Sequence, residues 1–483
     1  MNRKFIIALD QGSSASRALA IDEKGQAAAR VSRAVETRRP AEGLAEFDAW
    51  ALLTGQLDAL QSVLNQVGAG NVAGIAVASQ RSSVVFWDRL TGRPVAPALS
   101  WQDGRAAAEA GEASLPQDAV HQLTGLYKTP FYAAPKISWT LKNIPEVAQA
   151  ARDGRLCVGP VASYIIWHLT GGKTFACDPT QAQRMLLLNI STLNWDEQLL
   201  GAFGVERAWL PQIKRTTDDY GVFSYEEHAI PVRVCVGDQQ AALCALRVVA
   251  GGACINYGTG AFFMRNTGRQ CHLLPGLLTS VGASLAGNAC DYLLEGPVNA
   301  CGTAFAWLSE IGFSFSADEL DALCEGSRAP VWFLPALGGL GAPYWDFSAT
   351  PVLSGFSPRT KKADVAAGAV NAIAFLLADI VFYAERFGVK SGEIKVTGGL
   401  SKCRSLLRAQ ADILQTRLLP CAEAESTAVG AALLAAGAAG VDTSQWETMR
   451  LLPPVTPHMD AEEAEELYGK WHEFLNWCKV RKL

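Results

Sequence analysis

Residues 5–21 of the chain are FIIALDQGSSASRALAI: an apolar run, a small polar turn at 10–16 and a second apolar run. This pattern predicts two antiparallel strands joined by a hairpin. A further turn at 22–25 leads to another short strand at 27–31. The fold therefore begins with a β-meander, in which a hairpin turn, and not a helix N-terminus, would have to hold any phosphate group.

The same pattern returns in the middle of the chain. Residues 254–257 and 261–265 flank the small turn Gly258-Thr259-Gly260. Apolar strands in both halves alternate with helix-like stretches such as 50–67, which predicts an α/β fold class for each half. The two halves thus begin alike.

Length and composition restrict the organisation and the partners. A chain of 483 residues exceeds the ~250 to 300 residues that one core fills, so we predict two domains, 1–246 and 247–483. The formal charge is −5, from 42 Lys and Arg against 47 Asp and Glu, and no long basic run is present. This balance argues against nucleic-acid and anionic-membrane partners and favours a small-molecule substrate, while a homodimer remains compatible with it.

Targeting and redox features favour the cytoplasm. The apolar stretch after the basic residues 1–4 is too short for a signal peptide. The longest weakly polar run, at 428–440, falls short of the ~20 residues of a membrane span and predicts a closely packed helix. Twelve cysteines without a CxxC pair predict neither a disulfide framework nor a zinc site.

The first hairpin turn carries groups that suit a nucleotide triphosphate. Asp10, Ser13, Ser14 and Arg17 place a carboxylate, two hydroxyls and a cation within eight residues. Hydroxyls and the cation suit phosphate oxygens, and a carboxylate can hold Mg²⁺ through its waters. An ordinary polar hairpin with an exposed arginine is the alternative interpretation.

Asp238 ends an apolar strand at 232–236 and begins a helix. A carboxylate at the C-terminal end of a parallel strand is suitably placed to accept a proton from a hydroxyl nucleophile. Aspartate is also a good helix N-cap, so a purely structural role stays open.

Three further motifs indicate ligand binding. Ser79-Gln80-Arg81 ends another strand, and Trp101-Gln102-Asp103 follows a third, so a polar fork beside an aromatic wall predicts a polyol pocket. Arg81 and Asp103 could equally form a structural ion pair. Gly398-Gly399 after the strand 393–397 allows a flat ring to approach the backbone, although this is also a common strand-to-helix connection.

Taken in order, these motifs resemble the FGGY carbohydrate kinases, and within them the glycerol kinases, over nearly the whole chain. The motifs are DQGSSASRA at 10–18, SQR at 79–81, WQDGR at 101–105, GDQQAAL at 237–243, NYGTGAFF at 256–263, GLGAPYWD at 339–346, TGGLSK at 397–402 and ESTAVGAALLAAG at 425–437.

The resemblance implies two duplicated actin-like ATPase (ribonuclease H-like) domains with a cleft in which ATP and sugar meet. It assigns the sugar site and the catalytic base to residues 1–246 and the nucleotide site to 247–483. The roles that it implies are Mg²⁺ at Asp10; phosphates at Ser13, Ser14, Arg17, Thr259 and Gly260; adenosine at Gly398, Gly399 and Leu400; a general base at Asp238; and substrate contacts at Arg81, Trp101, Asp103, Tyr132, Gln239 and Phe262.

One departure from the family pattern bears on the substrate. Glycerol kinases carry an Arg-Glu pair whose glutamate accepts from a glycerol hydroxyl, whereas Arg81 is followed here by Ser82. Loss of a hydrogen-bond acceptor is costly for the substrate that used it, so we do not expect glycerol to be preferred.

The sequence therefore predicts an ATP- and Mg²⁺-dependent kinase that phosphorylates a hydroxyl of a small ketose or polyol. Two alternatives remain: a glycerol kinase that tolerates Ser82, and a non-catalytic ATP switch on the same actin-like fold.

Overall fold

The computed structural model describes residues 5–283, 290–327, 330–422, 425–444, 446 and 449–481. The strands are β1 Phe5–Gln11, β2 Ala15–Ile21, β3 Ala27–Ala34, β4 Glu46–Phe47, β5 Val72–Ser79, β6 Val84–Asp88, β7 Ala98–Leu99, β8 Leu156–Pro160, β9 Ala176–Cys177, β10 Leu188–Asn189, β11 Asn194–Trp195, β12 Gln212–Ile213, β13 Val222–Tyr225, β14 His228–Gly237, β15 Ala253–Tyr257, β16 Ala261–Gly268, β17 Leu278–Val281, β18 Tyr292–Val298, β19 Trp332–Leu334, β20 Val352–Ser354, β21 Ile394–Thr397 and β22 Leu418–Pro420.

The α-helices are α1 Ala49–Val67, α2 Ala107–Glu112, α3 Gln117–Thr124, α4 Ala133–Asn143, α5 Pro145–Arg152, α6 Val161–Leu169, α7 Pro179–Gln183, α8 Glu197–Phe203, α9 Asp238–Ala245, α10 Gly302–Glu310, α11 Ala317–Gly326, α12 Lys362–Arg386, α13 Arg404–Leu414, α14 Ser426–Ala438 and α15 Ala461–Arg481.

The first large sheet has the strand order β13-β14-β5-β1-β2-β3. The predicted meander is confirmed: β1 pairs antiparallel with β2, and β2 with β3. Strands β1, β5 and β14 run parallel, and β5 is buried along its whole length, as expected for a parallel strand covered on both faces. The carboxyl ends of these three strands therefore share one edge of the sheet.

The second large sheet has the order β17-β18-β16-β15-β21-β22. Its centre is again a hairpin, β15 with β16, followed on the β15 side by the parallel strands β21 and β22. The first sheet likewise places a hairpin, β1 with β2, beside the parallel strands β5 and β14. The predicted duplication is therefore visible in the strand order.

The chain forms two compact units, which are not contiguous in sequence. The first unit comprises residues 1–247, 280–292 and 425–448, and the second comprises 248–279, 293–424 and 449–483. Two segments of the predicted second domain thus belong to the first unit. The physical reason for the later segment is α14, whose apolar face packs into the core of the first sheet with Ala8, Ala76 and Val236.

Helix α14 also packs closely against α9, the helix that begins at Asp238. A Cβ atom on Gly430 would lie 1.7 Å from the carbonyl oxygen of Ala241. The close packing that the sequence predicts for residues 428–440 is confirmed, and glycine at this position permits it.

One sequence expectation about apolar runs needs correction. Among the described residues, α12 is long and apolar enough to cross a membrane, with a mean hydropathy of 2.1 over 18 residues. However, 89% of that window is buried, and α12 supplies much of the core of the second unit. Its buried Asp379 accepts hydrogen bonds from Tyr468 and Trp471 of α15, so α12 is a core helix that binds a neighbouring helix through a polar group.

Candidate active site

The shared edge of the first sheet brings three predicted site residues together. Asp10 lies near the end of β1, Arg81 follows β5, and Asp238 follows β14. The register places Ser79 opposite both Gln11 and Gly237, so β1, β5 and β14 end at the same level. The segments that follow these strands therefore leave the sheet next to one another. This edge collects charged groups because Asp10 lies one residue before the end of β1, and Arg81 and Asp238 lie within two residues beyond the ends of β5 and β14.

Asp238 is the partly exposed carboxylate of this edge, with 30% of its side chain accessible. Its Oδ1 atom lies 3.5 Å from Nε of Arg81 and accepts from the backbone N–H of Gln239 at 2.8 Å. Desolvation raises the pKa of Asp238 above its ordinary value, whereas Arg81 and Arg184 lower it. The result is an accessible carboxylate whose affinity for a proton exceeds that of a surface aspartate.

Asp10 is more deeply placed. It forms an ion pair with Arg17 at 3.0 Å. Desolvation nevertheless raises the pKa of Asp10 to about 6, with Arg17 opposing this rise and the charges of Asp238 and Glu425 adding to it. Burial thus costs the ionised form of Asp10 more than the arginine restores.

The hairpin between β1 and β2 is tight. Gly12 donates its N–H to the carbonyl of Ala15, and the side chain of Ser16 donates to Gln11 at 2.7 Å. Ser14 is exposed and Ser13 is partly exposed. Their hydroxyls therefore remain accessible at the same edge as Asp10.

A buried network that the sequence analysis did not assign holds the backbone before Asp238. Asp178 accepts hydrogen bonds from Thr180 and Thr216, and Thr180 accepts the N–H of Gly237 at 2.7 Å. Burial raises the pKa of Asp178 to about 6. The signal that could have revealed this is Asp178-Pro179, an N-cap with proline in the first turn, which here begins the fully buried helix α7.

The predicted polyol motifs are connected by side chains. Gln80 donates to the carbonyl of Gly12, and Ser83 donates to Oε1 of Gln80. The N–H of Trp101 in turn donates to Oγ of Ser83 at 2.9 Å. Trp101 itself is 41% exposed, so its ring is available to a ligand.

Asp103 lies differently from the expectation. Its carboxylate is fully buried and accepts from Nε and Nη2 of Arg105, and from the N–H of Ala45 at 2.7 Å. The alternative ion pair between Arg81 and Asp103 does not form either, because Arg81 pairs with Asp238. Asp103 therefore fixes the loop that follows Trp101 and is not accessible to a ligand in this geometry.

Two other predicted substrate residues flank helix starts in the first unit. Tyr132 is largely buried and precedes α4, whereas its neighbour Phe131 is 44% exposed. Gln239 is partly exposed in the first turn of α9.

In the second unit, the two predicted nucleotide loops meet. Strands β15 and β21 are parallel, with Asn256 opposite Thr397, so the turn 258–260 and the turn 398–400 leave the same edge of the sheet. A Cβ atom on Gly398 would lie 2.3 Å from the carbonyl oxygen of Tyr257, and its φ of +94° also favours glycine.

The turn 258–260 is held by backbone contacts. The carbonyl of Thr259 accepts from the N–H groups of Cys301 and Thr303, and a Cβ atom on Gly260 would lie 2.7 Å from the carbonyl of Val298. The side chain of Thr259 is exposed. Phe262 is partly exposed on β16 in the same unit.

The residues present fit a metal ion that arrives with phosphates better than one held by the protein alone. Among the described residues, no group of three or more His, Cys, Asp or Glu side chains is arranged to hold a metal. Mg²⁺ commonly binds through one or two carboxylates together with substrate phosphates, and the buried carboxylate of Asp10, whose ionised form is disfavoured by desolvation, suits that arrangement.

Two α/β sheets of matching strand order, one ending in charged side chains and the other in glycine turns, define the class of two-domain, actin-like ATPase folds. The sequence comparison agrees: models of the FGGY family of carbohydrate kinases match residues 5–245 with the N-terminal domain and 253–439 with the C-terminal domain. The chain belongs to the FGGY family of carbohydrate kinases.

Individual relatives support the same conclusion. Glycerol kinase of Geobacter sp. (strain M21) is 37% identical over 487 residues, which cover 97% of this chain and 98% of that protein. Glycerol kinase of Thermus brockianus is 36% identical, with 99% of each chain covered. The crystal structure of Plasmodium falciparum glycerol kinase with ADP superposes with a TM-score of 0.92 at 26% identity, covering 98% of both chains.

The predicted family, fold class and enzyme class are therefore confirmed. The protein is a phosphotransferase that acts on an alcohol group of a sugar or polyol. Family membership favours catalysis over a non-catalytic ATP switch.

Proposed function

We propose that the protein is an ATP- and Mg²⁺-dependent kinase of a small ketose or polyol, with Asp238 as the general base. The observation that carries this proposal is the placement of Asp238, an accessible carboxylate at the carboxyl end of β14 beside Arg81. A base must reach the proton that it removes. A raised pKa also makes the carboxylate of Asp238 a stronger proton acceptor than an ordinary aspartate.

Asp238 takes the proton of the acceptor hydroxyl as that oxygen attacks the γ-phosphorus of ATP, and ADP leaves. Desolvation raises the pKa of this carboxyl group, and Arg81 and Arg184 oppose the rise by favouring the ionised form that accepts the proton. The buried chain from Asp178 through Thr180 to the N–H of Gly237 fixes the backbone that carries it. Orientation of this kind is a large part of the catalysis of phosphoryl transfer.

Asp10 is the proposed partner of Mg²⁺, through the waters of the ion. When bound, the ion would neutralise charge on the phosphates of ATP. Ser13, Ser14 and Arg17 supply hydroxyl and cationic groups toward phosphate oxygens from the same hairpin. The raised pKa of Asp10 supports this role, since a bound cation would offset the desolvation of the ionised carboxylate.

The nucleotide is proposed to lie against the second unit, at Thr259, Gly260, Gly398, Gly399 and Leu400. Support comes from the parallel pairing of β15 with β21, which places both turns at one sheet edge, and from Gly398, whose backbone packs against the carbonyl of Tyr257. Glycine lets a ring or phosphate approach the backbone closely.

The acceptor is proposed to contact Arg81, Trp101, Gln239, Tyr132 and Phe262. Ser82, where glycerol kinases have a glutamate, argues for an acceptor other than glycerol. Asp103 is assigned a positioning role because its carboxylate is occupied by Arg105. The proposed compartment is the cytoplasm, where the twelve free thiols would stay reduced.

Glycerol is the second candidate acceptor. Full-length similarity to glycerol kinases at 36% and 37% identity favours it. A coupled ADP assay with glycerol, erythritol, xylulose and fructose decides between the candidates. A kcat/KM for glycerol equal to or above that of every other compound would establish glycerol and refute our preference.

The role of the base is tested by Asp238→Asn. We expect kcat to fall by about 10² to 10⁴, because the amide cannot accept the proton. Asp58→Asn on the protein surface is the matched control and should keep wild-type kcat. Sugar-dependent ADP release within tenfold of wild type in Asp238→Asn would mean that another group removes the proton.

A further inference from the structure

Lys136 is a fully buried lysine on α4 whose side chain makes an unusual set of contacts. Its Nζ atom donates to the carbonyl oxygens of Ser100 at 2.6 Å, Phe131 at 2.7 Å and Ser82 at 3.4 Å. An ammonium group has three protons, so these three carbonyls match its donors one for one.

The three carbonyl groups belong to three different loops of the first unit. Each belongs to the residue next to a proposed acceptor contact: Ser82 follows Arg81, Ser100 precedes Trp101, and Phe131 precedes Tyr132. One side chain thus joins the loops that carry three of the proposed acceptor contacts of the first unit, Arg81, Trp101 and Tyr132.

One residue that Lys136 contacts has a strained backbone. Ser82 has a φ of +65°, a left-handed conformation that a non-glycine residue adopts only when its surroundings enforce it. The charged groups that act on Lys136 are Asp103, which favours its protonated form, and Arg105, which opposes it. Both lie in the loop after Trp101, so the ammonium is electrostatically coupled to the same segment.

We propose that Lys136 is a positioning residue that sets the geometry, and therefore the affinity, of the acceptor site. The inference rests on the proposed function. It assigns no contact between Lys136 and the substrate: the residue acts through the backbone of the loops that bear Arg81, Trp101 and Tyr132.

The test replaces Lys136 with Met, which keeps the length of the side chain and removes its donors. The matched control is Lys128→Met: Lys128 lies in the loop of Phe131 and also donates to carbonyls, but those of Ala113 and Leu115 are not next to a proposed acceptor contact. The acceptor probe is whichever of glycerol, erythritol and xylulose the wild type turns over fastest.

We expect Lys136→Met to raise the KM of the acceptor by about tenfold or more, with the KM of ATP within about twofold of wild type. Lys128→Met should leave both KM values near wild type. A merely structural role would lower the amount of active enzyme, and hence kcat, without raising the KM of the acceptor relative to the KM of ATP. An acceptor KM equal to that of Lys128→Met would overturn the proposal.

A measurement on the unmodified enzyme covers the case in which the variant does not fold. Desolvation lowers the pKa of Lys136 to about 7, so the neutral amine, which has only two protons for three carbonyls, becomes populated at alkaline pH. Calorimetric affinity for the same acceptor should therefore weaken from about pH 6 to about pH 9. An affinity that is constant over this range would refute the proposal, while Asp238→Asn separately decides the proposed function.

Discussion

The two units use the same strand order but present opposite chemistry at the corresponding sheet edges. In the first unit the edge consists of charged side chains, with Asp10 paired to Arg17 and Asp238 beside Arg81. In the second unit the corresponding edge carries the turns 258–260 and 398–400, and the backbone of Gly398 packs against the carbonyl of Tyr257, just before the first turn. Under the proposed function, the duplicated scaffold would supply side chains for proton transfer on one copy and closely approachable backbone for a nucleotide on the other.

The largest effect is expected where the second unit depends on bare backbone. Gly398→Ala would place a methyl group 2.3 Å from the carbonyl of Tyr257 at a φ of +94°. We expect the second unit to lose about 3 kcal/mol or more of stability, together with ATP affinity.

Gly399→Ala is the control for this substitution, because a Cβ atom added there would meet no other atom within 4 Å. Urea unfolding and ATP titration of the two variants measure the difference. If Gly398→Ala matched Gly399→Ala in both, close backbone approach would not be what defines this edge.

The next effect concerns the charge at the edge of the first unit. The pKa of Asp10 is about 6 in the folded protein against 3.8 for an ordinary aspartate. Between these values the folded state binds more protons than the unfolded state, so this group's contribution to stability is lost as the pH rises through about 6. Asp10→Asn should therefore be more stable than wild type at about pH 8, by up to about 3 kcal/mol. At about pH 5 this gain in stability should be smaller.

The same substitution should lower activity, because the proposed Mg²⁺ partner is gone. Thermal unfolding at about pH 5 and about pH 8 checks the stability. Asp58→Asn, at an exposed pair with Arg33, serves as the control and should show no such pH dependence. A variant at Asp10 that is less stable than wild type at the higher pH contradicts the destabilising charge that we assign to this carboxylate.

The smallest effect is expected at Thr259. Its carbonyl is bound to the N–H groups of Cys301 and Thr303, while its side chain is exposed. If the backbone carries nucleotide binding, Thr259→Ala should change the KM of ATP by less than about threefold. A tenfold rise would show that the hydroxyl is a ligand, and the contrast between the two edges would be weaker than we describe.

Local patterns in the sequence were sufficient for much of this outcome. The polar turn after an apolar strand predicted the hairpin at Asp10, and the strand that ends at Gly237 predicted an acidic residue at a sheet edge. These features depend on neighbours in sequence, through turn chemistry and burial of alternating strands. The repeat of the pattern near residue 258 revealed the duplication for the same reason.

Other features depended on residues far apart in the chain. Asp103 pairs with Arg105 and with the N–H of Ala45, a partner 58 residues away. As a residue type it suggested a substrate contact, but its buried position makes its carboxylate inaccessible to a substrate. The sequence analysis took 428–440 as the longest weakly polar run, whereas α12 is longer and apolar although Asn371 and Asp379 interrupt it. The bonds from Tyr468 and Trp471, far along the chain, show how Asp379 is accommodated.

The sequence by itself determined the family, the two duplicated α/β halves and the residue types at each strand end, because turn propensity and apolar periodicity are local properties. Only the tertiary structure decided which of those residues share an edge, that α14 joins the first unit, and that Lys136 binds three loops at once. Those facts rest on hydrogen bonds and packing between segments up to hundreds of residues apart. Local spacing along the chain does not specify which distant segments come into contact.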